Sequence, residues 1–216
     1  MKIYERCPNC DRKLSGLLET INLVSPKMTE AINRWNNLDK EFYCEKCAPA
    51  LSEPFITKFK QESLELKKDL SPIINLIPMT TSPAHNNWDY EIIDIVTTQK
   101  SISAGLISDF STALGDVFEE GSKMTENKLG GLIEECKSAL RYQSALLGGN
   151  AIISTNIVFN EIKSISTSVY MVCVTGTAIK VKNINSLGSE TKDDIEKITN
   201  LAQRLAYVNG ELNSYK

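Results

Sequence analysis

Histidine is nearly missing: the 216 residues contain one, His85. That scarcity excludes His-rich metal sites and removes the usual base from any Ser/His or Cys/His hydrolase. His85 stands between Ser82-Pro83 and Asn86-Asn87, a turn-forming context, and reads as a loop residue without a ligand role. Long apolar runs are missing too; none approaches the roughly 18–20 residues that span a bilayer. The first residues, Met1-Lys-Ile-Tyr-Glu-Arg-Cys, carry charges where a secretory leader needs an apolar core. Nor is there an excess of positive charge. With 24 Lys/Arg against 27 Asp/Glu, the net charge of −3 argues against a chain built to neutralise nucleic-acid phosphates. We therefore expect a cytoplasmic protein with no membrane segment.

Cysteine is what the chain does have. In a cytoplasmic protein six thiols point to metal before disulfides, because the compartment keeps thiols reduced. Four stand in two Cys-x-x-Cys pairs, Cys7/Cys10 and Cys44/Cys47. A tight turn within each pair brings two thiolates onto one face, and two such faces complete a tetrahedron around Zn²⁺. A four-thiolate site has no open position for water or substrate, so it is structural. A thioredoxin-like redox role would need a βαβ setting, which neither pair has. Residues 1–50 thus read as a zinc ribbon, with a short helix around Thr29–Trp35 opened by Ser25-Pro26 and closed by Asn36-Asn37. Eight Lys/Arg against seven acids in these 50 residues leave no basic face for nucleic acid.

Helical spacing follows. Ser52-Glu-Pro54 reads as a helix start, and Phe55, Phe59, Leu66 and Leu70 recur along a connecting helix over 51–75. Ile77-Pro-Met-Thr-Thr is a short extended entry, and Tyr90–Thr98 reads as a strand by its β-branched content. Two amphipathic helices are expected next, about Ser103–Phe118 and Thr125–Leu147. The second carries Leu129, Leu132, Ile133, Cys136, Leu140, Gln143 and Leu147 and ends on Gly148-Gly149. A strand over Ala151–Phe159 alternates, with Ile153, Thr155, Ile157 and Phe159 assigned to one face. The last strand, Ser168–Lys182, is nearly continuously apolar, as if buried on both faces or shared with a neighbour. A hairpin loop joins these two strands. The tail, Ser189–Tyr215, reads as one more amphipathic helix through Ile195, Ile198, Leu205, Val208 and Leu212.

Several features in this order, Thr80-Thr81, Ile92–Val96, Asp109-Phe110, Asp116-Val117, Gly149-Asn150-Ala151-Ile152 and Gly176-Thr-Ala-Ile179, resemble the YbjQ-like family, which carries a heavy-metal-binding label. The resemblance covers residues 76–183. It implies an α+β, YbjQ/dodecin-like core of order β-α-α-β-β that assembles as a ring, a homopentamer in which strands of adjacent subunits extend each sheet. Where that family has a glycine-rich turn with an arginine, this chain has Phe118-Glu-Glu-Gly-Ser-Lys-Met. The zinc ribbon (1–50) and the C-terminal helix (184–216) are additions to the family domain.

No nucleophile–base pair is legible, so we expect no enzyme and assign no catalytic residue. Acids on the two helices (Asp109, Asp116, Glu119, Glu120, Glu134, Glu135) read as solvated charges, and Cys136 and Cys173 as small buried apolar groups. The leading expectation is a zinc-containing oligomeric scaffold or interaction protein, with Cys7, Cys10, Cys44 and Cys47 as metal ligands and a protein partner engaged through the ribbon or the C-terminal helix. The alternative is a metal- or small-ligand-binding protein with its site between subunits.

Overall fold

The computed structural model describes residues 4–15, 20–83, 87–103, 121–163, 168–187 and 192–215. Residues 104–118 of the helix expected over 103–118, and His85, lie outside them; Ser103 itself is strand rather than helix. The chain forms two compact units: residues 1–67 together with 205–216, and residues 68–204. Both boundaries fall inside helices.

In the first unit, α1 (Pro26–Asn36) begins and ends where its capping chemistry dictates. The Ser25 hydroxyl accepts from the Met28 amide at 3.2 Å, proline takes the first turn, and Asn37 ends the helix in the left-handed conformation. Helix α2 (Ala48–Leu70) starts four residues before the expected Ser52, directly after Cys47, so that Pro54 lies inside it. Nor is α2 merely a connector. Phe55 and Phe59 are buried in a core with Met28, Ala31, Ile32, Tyr43, Ala48 and Val208. Trp35 stacks on Phe55 at 5.6 Å and meets Phe59 edge-on, while Tyr215 meets Phe55 edge-on. Val208 and Tyr215 belong to the chain's C-terminal end: the expected tail helix, α4 (Lys192–Ser214), completes this core with its last turns.

The second unit holds an antiparallel sheet of three strands: β1 (Tyr90–Ser103), β2 (Ala151–Lys163) and β3 (Ser168–Val181), in the order β1-β3-β2. The apolar run of β3 is central, paired on both sides. Helix α3 (Gly121–Leu146) covers one sheet face, where Cys136 and Leu140 are buried with Val96, Ile152, Val172, Val174 and Ala178. The expected stripe drifts at its end: Gln143 and Leu147 are exposed, and Ser144 and Ala145 are buried instead. The extended entry Pro78–Ser82 runs parallel to the start of β2. There Ile152 donates to the Pro78 carbonyl at 2.9 Å and Thr155 to the Thr80 carbonyl at 2.9 Å.

The single-face assignment in β2 is corrected. The register shifts between Ile153 and Asn156, with Ser154 at φ 52°. A bulge of this kind inserts an extra residue and reverses which face later residues take. Ile153 therefore lies opposite Thr177 on the face away from α3. Ile157 and Phe159 pair with Val174 and Val172 on the α3 side, yet stay 40% and 43% exposed.

Two glycines of the family-like motifs are fixed by contact. A Cβ on Gly149 would sit 2.4 Å from Ser144 Oγ, and one on Gly176 would sit 2.6 Å from Ile152 Cγ2. The latter neighbour is a stiff β-branched group in a packed core. Gly176→Ala is expected to cost about 1–3 kcal/mol, read as a lowered melting midpoint for the second unit, whose tryptophan is Trp88. An unchanged midpoint would mean that Ile152 has room to move.

Candidate metal centre

The first Cys-x-x-Cys pair occupies a tight loop closed by backbone bonds. The Cys7 amide donates to the Arg12 carbonyl and the Asp11 amide to the Cys7 carbonyl, both at 2.9 Å. Asp11 adopts φ 55°, and the Arg6 guanidinium holds the turn by donating to the Asp11 carbonyl and carboxylate at 2.9 and 3.0 Å. The second pair is tied in by a bridge between Leu23 and Cys44 and by the Glu45 amide, which donates to the Asn22 carbonyl at 2.9 Å. The Cys44 carbonyl then accepts from the Ala48 amide at 3.0 Å, which begins α2. Cys44 and Cys47 thus sit at the amino end of a 23-residue helix.

All four sulfurs lie within 4.8 Å of one another. Cys7–Cys47 is 3.7 Å, Cys10–Cys44 is 3.6 Å and Cys44–Cys47 is 3.6 Å. Bonds of about 2.3 Å from a central ion at tetrahedral angles would put sulfurs roughly 3.8 Å apart, so the donor set fits a tetrahedral cation. Cys7 and Cys44 are buried, Cys47 is half-buried and Cys10 is exposed. The floor is apolar: Leu14, Ile21 and Phe42 are buried against the cysteines, and the Tyr4 ring lies 4.2 Å from Phe42.

Without a cation the thiols compete for charge. Burial pushes Cys7 up, but the backbone amides of Cys10, Asn9 and Cys44 outweigh it and bring the thiol down to about 7. Burial pushes Cys47 up to about 12, helped by the thiols of Cys44 and Cys7 and opposed by the Asn9 side chain. A positive ion among the four sulfurs would relieve this competition. Metal binding would displace the remaining protons.

The other candidate residues separate from this cluster. Cys136 is fully buried under the sheet, its sulfur 3.9 Å from the Val172 carbonyl. Cys173 is half-buried on the opposite face of β3. Glu134 and Glu135 are exposed and paired with Lys137 and Lys100. Asp109, Asp116, Glu119 and Glu120 lie outside the described residues. Among the described residues no second group of three or more metal-ligating side chains converges, and no helix is long and apolar enough to cross a membrane. The position of Cys44 and Cys47 at the start of α2 was missed in the sequence, although Pro49, a frequent residue of helix first turns, was its signal.

Comparison with known proteins places the family likeness in the second unit. Residues 77–182 match the YbjQ family model, described as "Putative heavy-metal-binding". UPF0145 protein PM1668 of Pasteurella multocida is 25% identical over 105 residues, which are 48% of this chain and 98% of that protein. A crystal structure of a protein of unknown function from Pediococcus pentosaceus, assigned to the DUF74 family, has 21% sequence identity and a TM-score of 0.36, covering 48% of this chain and 96% of that one. The four cysteines lie outside the matched residues.

Proposed function

We propose that this chain, a four-thiolate metal module joined to a YbjQ-type segment, is a non-enzymatic zinc-containing scaffold or interaction protein that works as a homo-oligomer in the cytoplasm. One observation carries the reading: four sulfurs at tetrahedral spacing on a buried apolar floor. Such a set saturates its ion and leaves no coordination position for a reacting molecule. Zinc suits it because four thiolates satisfy a d¹⁰ ion with no redox chemistry and no geometric demand beyond the tetrahedron. The ion then serves the fold, tying the two cysteine loops to the start of α2. A compartment that keeps thiols reduced preserves the ligands. The pentameric state follows the pattern of the YbjQ-like family, and it is supported by the outer edges of β1 and β2, which no further described strand extends.

Metal analysis of the purified protein tests the centre. About one zinc per chain is expected, retained through dialysis against a weak chelator and released after denaturation. Iron in its place, with the visible absorbance of an iron–thiolate centre, would keep the site but reject zinc. A metal-free chain with a protease-resistant amino-terminal unit would reject both.

A further inference from the structure

We propose that the groove between α2 and the carboxy-terminal end of α4, within the first unit, is a docking site for an acidic amphipathic helix of a partner protein. This gives the interaction reading above a partner class, and it rests on that reading without depending on the ring or on the metal's identity. The groove has a volume of about 690 Å³. One side is a stripe of α2, Ile56, Lys60, Leu64 and Lys67; Leu212 and Tyr215 line the other. The stripe spans the twelve residues 56–67, roughly 16 Å at the rise of an α-helix, which matches three turns of a docked helix.

Leu64 is 67% exposed, the most exposed large apolar side chain described in this unit. It marks the groove as a surface with apolar area to cover. The floor is already ordered. Ser63, 4% exposed, donates to the Asn209 side chain at 3.0 Å. The Tyr215 phenol donates to Glu211, whose carboxylate also pairs with Arg34 at 3.0 Å. A partner therefore need not reorganise this floor to bind.

Charge selects the partner. Among the described residues, two lysines and no carboxylate line the groove, so apolar residues at positions i, i+3 or i+4, and i+7 would fill the space between Ile56, Leu64 and Leu212. Carboxylates flanking them would reach Lys60 and Lys67. Two cations beside an apolar floor are too few to hold a nucleic-acid backbone.

The test uses the full metal-loaded chain, immobilised, and a displayed library of 16-residue peptides built on a helical scaffold. Enriched peptides are expected to carry apolar residues at helical spacing flanked by Asp or Glu. Their binding should weaken with salt and fall roughly tenfold or more on Leu64→Asp, and likewise on the paired change Lys60→Glu with Lys67→Glu. Both variants alter exposed groups and should keep the wild-type circular dichroism. No enrichment, enrichment of basic peptides, or binding indifferent to both variants would overturn the proposal. If Leu64→Asp instead lowers the oligomer's mass in light scattering, a second copy covers the groove and the partner assignment fails. Metal content and mass of the wild-type chain, measured on the same sample, report separately on the scaffold reading.

Discussion

Cys44→Ser is expected to release the metal ion and unfold the unit made of residues 1–67 and 205–216, while the sheet of the second unit persists. Cys44 is fully buried at the meeting point of both cysteine loops and also starts α2 through its carbonyl. A structural Zn²⁺ site contributes on the order of 10–16 kcal/mol to folding in small zinc-dependent modules. Losing an inner ligand should lower affinity by more than the roughly 10–100-fold that losing an outer-shell partner costs. The chain carries its own reporters, since its two tryptophans fall one in each unit: Trp35 against Phe55 and Phe59, and Trp88 against a cluster of Ala151, Ile153, Ile179 and Val181. In a Trp88→Phe background, Trp35 emission should shift to the red on the cysteine change or on chelation. The near-native β signal of the second unit should remain. A metal-free variant that keeps the blue-shifted Trp35 emission would show that the aromatic core holds this unit without the ion.

That experiment also bears on where the module ends. Cysteine spacing made the four-sulfur cluster legible, because Cys-x-x-Cys pairs in short turns need little beyond local geometry. Helix α1 was legible for the same reason: Ser25, Pro26 and Asn37 act on their own neighbours. The ribbon's outer limit was not legible at 50. The residues that close its core, Phe55, Phe59 and Val208, come from segments with strong helical periodicity, and periodicity states that a face is buried without naming what buries it. The start of α2 was misjudged because Ser52-Glu-Pro54 looks like a cap, whereas Pro54 lies in the second turn of a helix already begun behind the second cysteine pair.

The sheet divides along the same line. The apolar content of residues 168–182 signalled burial on both faces or sharing with a neighbour. β3 has a strand on each side, and Val172, Val174 and Ala178 on its α3-side face are buried, but Cys173, Thr175 and Thr177 on the other face are half-buried. Which strands would flank it depends on long-range pairing that no local pattern encodes. The bulge at Ser154 was equally hidden, because a single residue with positive φ reverses a two-residue period without changing composition.

The central place of β3 changes the physical case for assembly. An exposed apolar edge on that strand cannot be the driving force, since the chain pairs both its sides internally. The edges that remain are the outer side of β1 and, beyond the stretch covered by Pro78–Ser82, the outer side of β2 from Asn156 onward. Among the described residues, no strand or isolated bridge extends the sheet at either. They are different strands at opposite sides of one sheet, so joining β1 of one copy to β2 of the next is a heterologous contact, which yields either a closed ring or an open filament. The side chains point the same way: Ile92 and Ile95 on the face away from α3 are 69% and 74% exposed, and Ile157 and Phe159 beside the other edge are 40% and 43% exposed. Edges with this much apolar surface are aggregation templates unless a partner covers them.

Light scattering is therefore expected to give about five times the 24.0 kDa chain mass, the number five coming from the YbjQ-like pattern and association itself from the edges. Ile95→Lys with Phe159→Lys places charges only where side chains are exposed in the single chain, so this variant should keep its circular dichroism and fall to monomer at micromolar concentration. Cys173, half-buried on the same face as Ile95, away from α3, supplies an independent reading. It should react faster with a thiol reagent in the dissociated variant than in the assembled protein, while buried Cys136 stays slow in both. A wild-type chain that is monomeric at micromolar concentration, or a variant that keeps the full mass and the slow Cys173, would remove the strand edges as the basis of the ring.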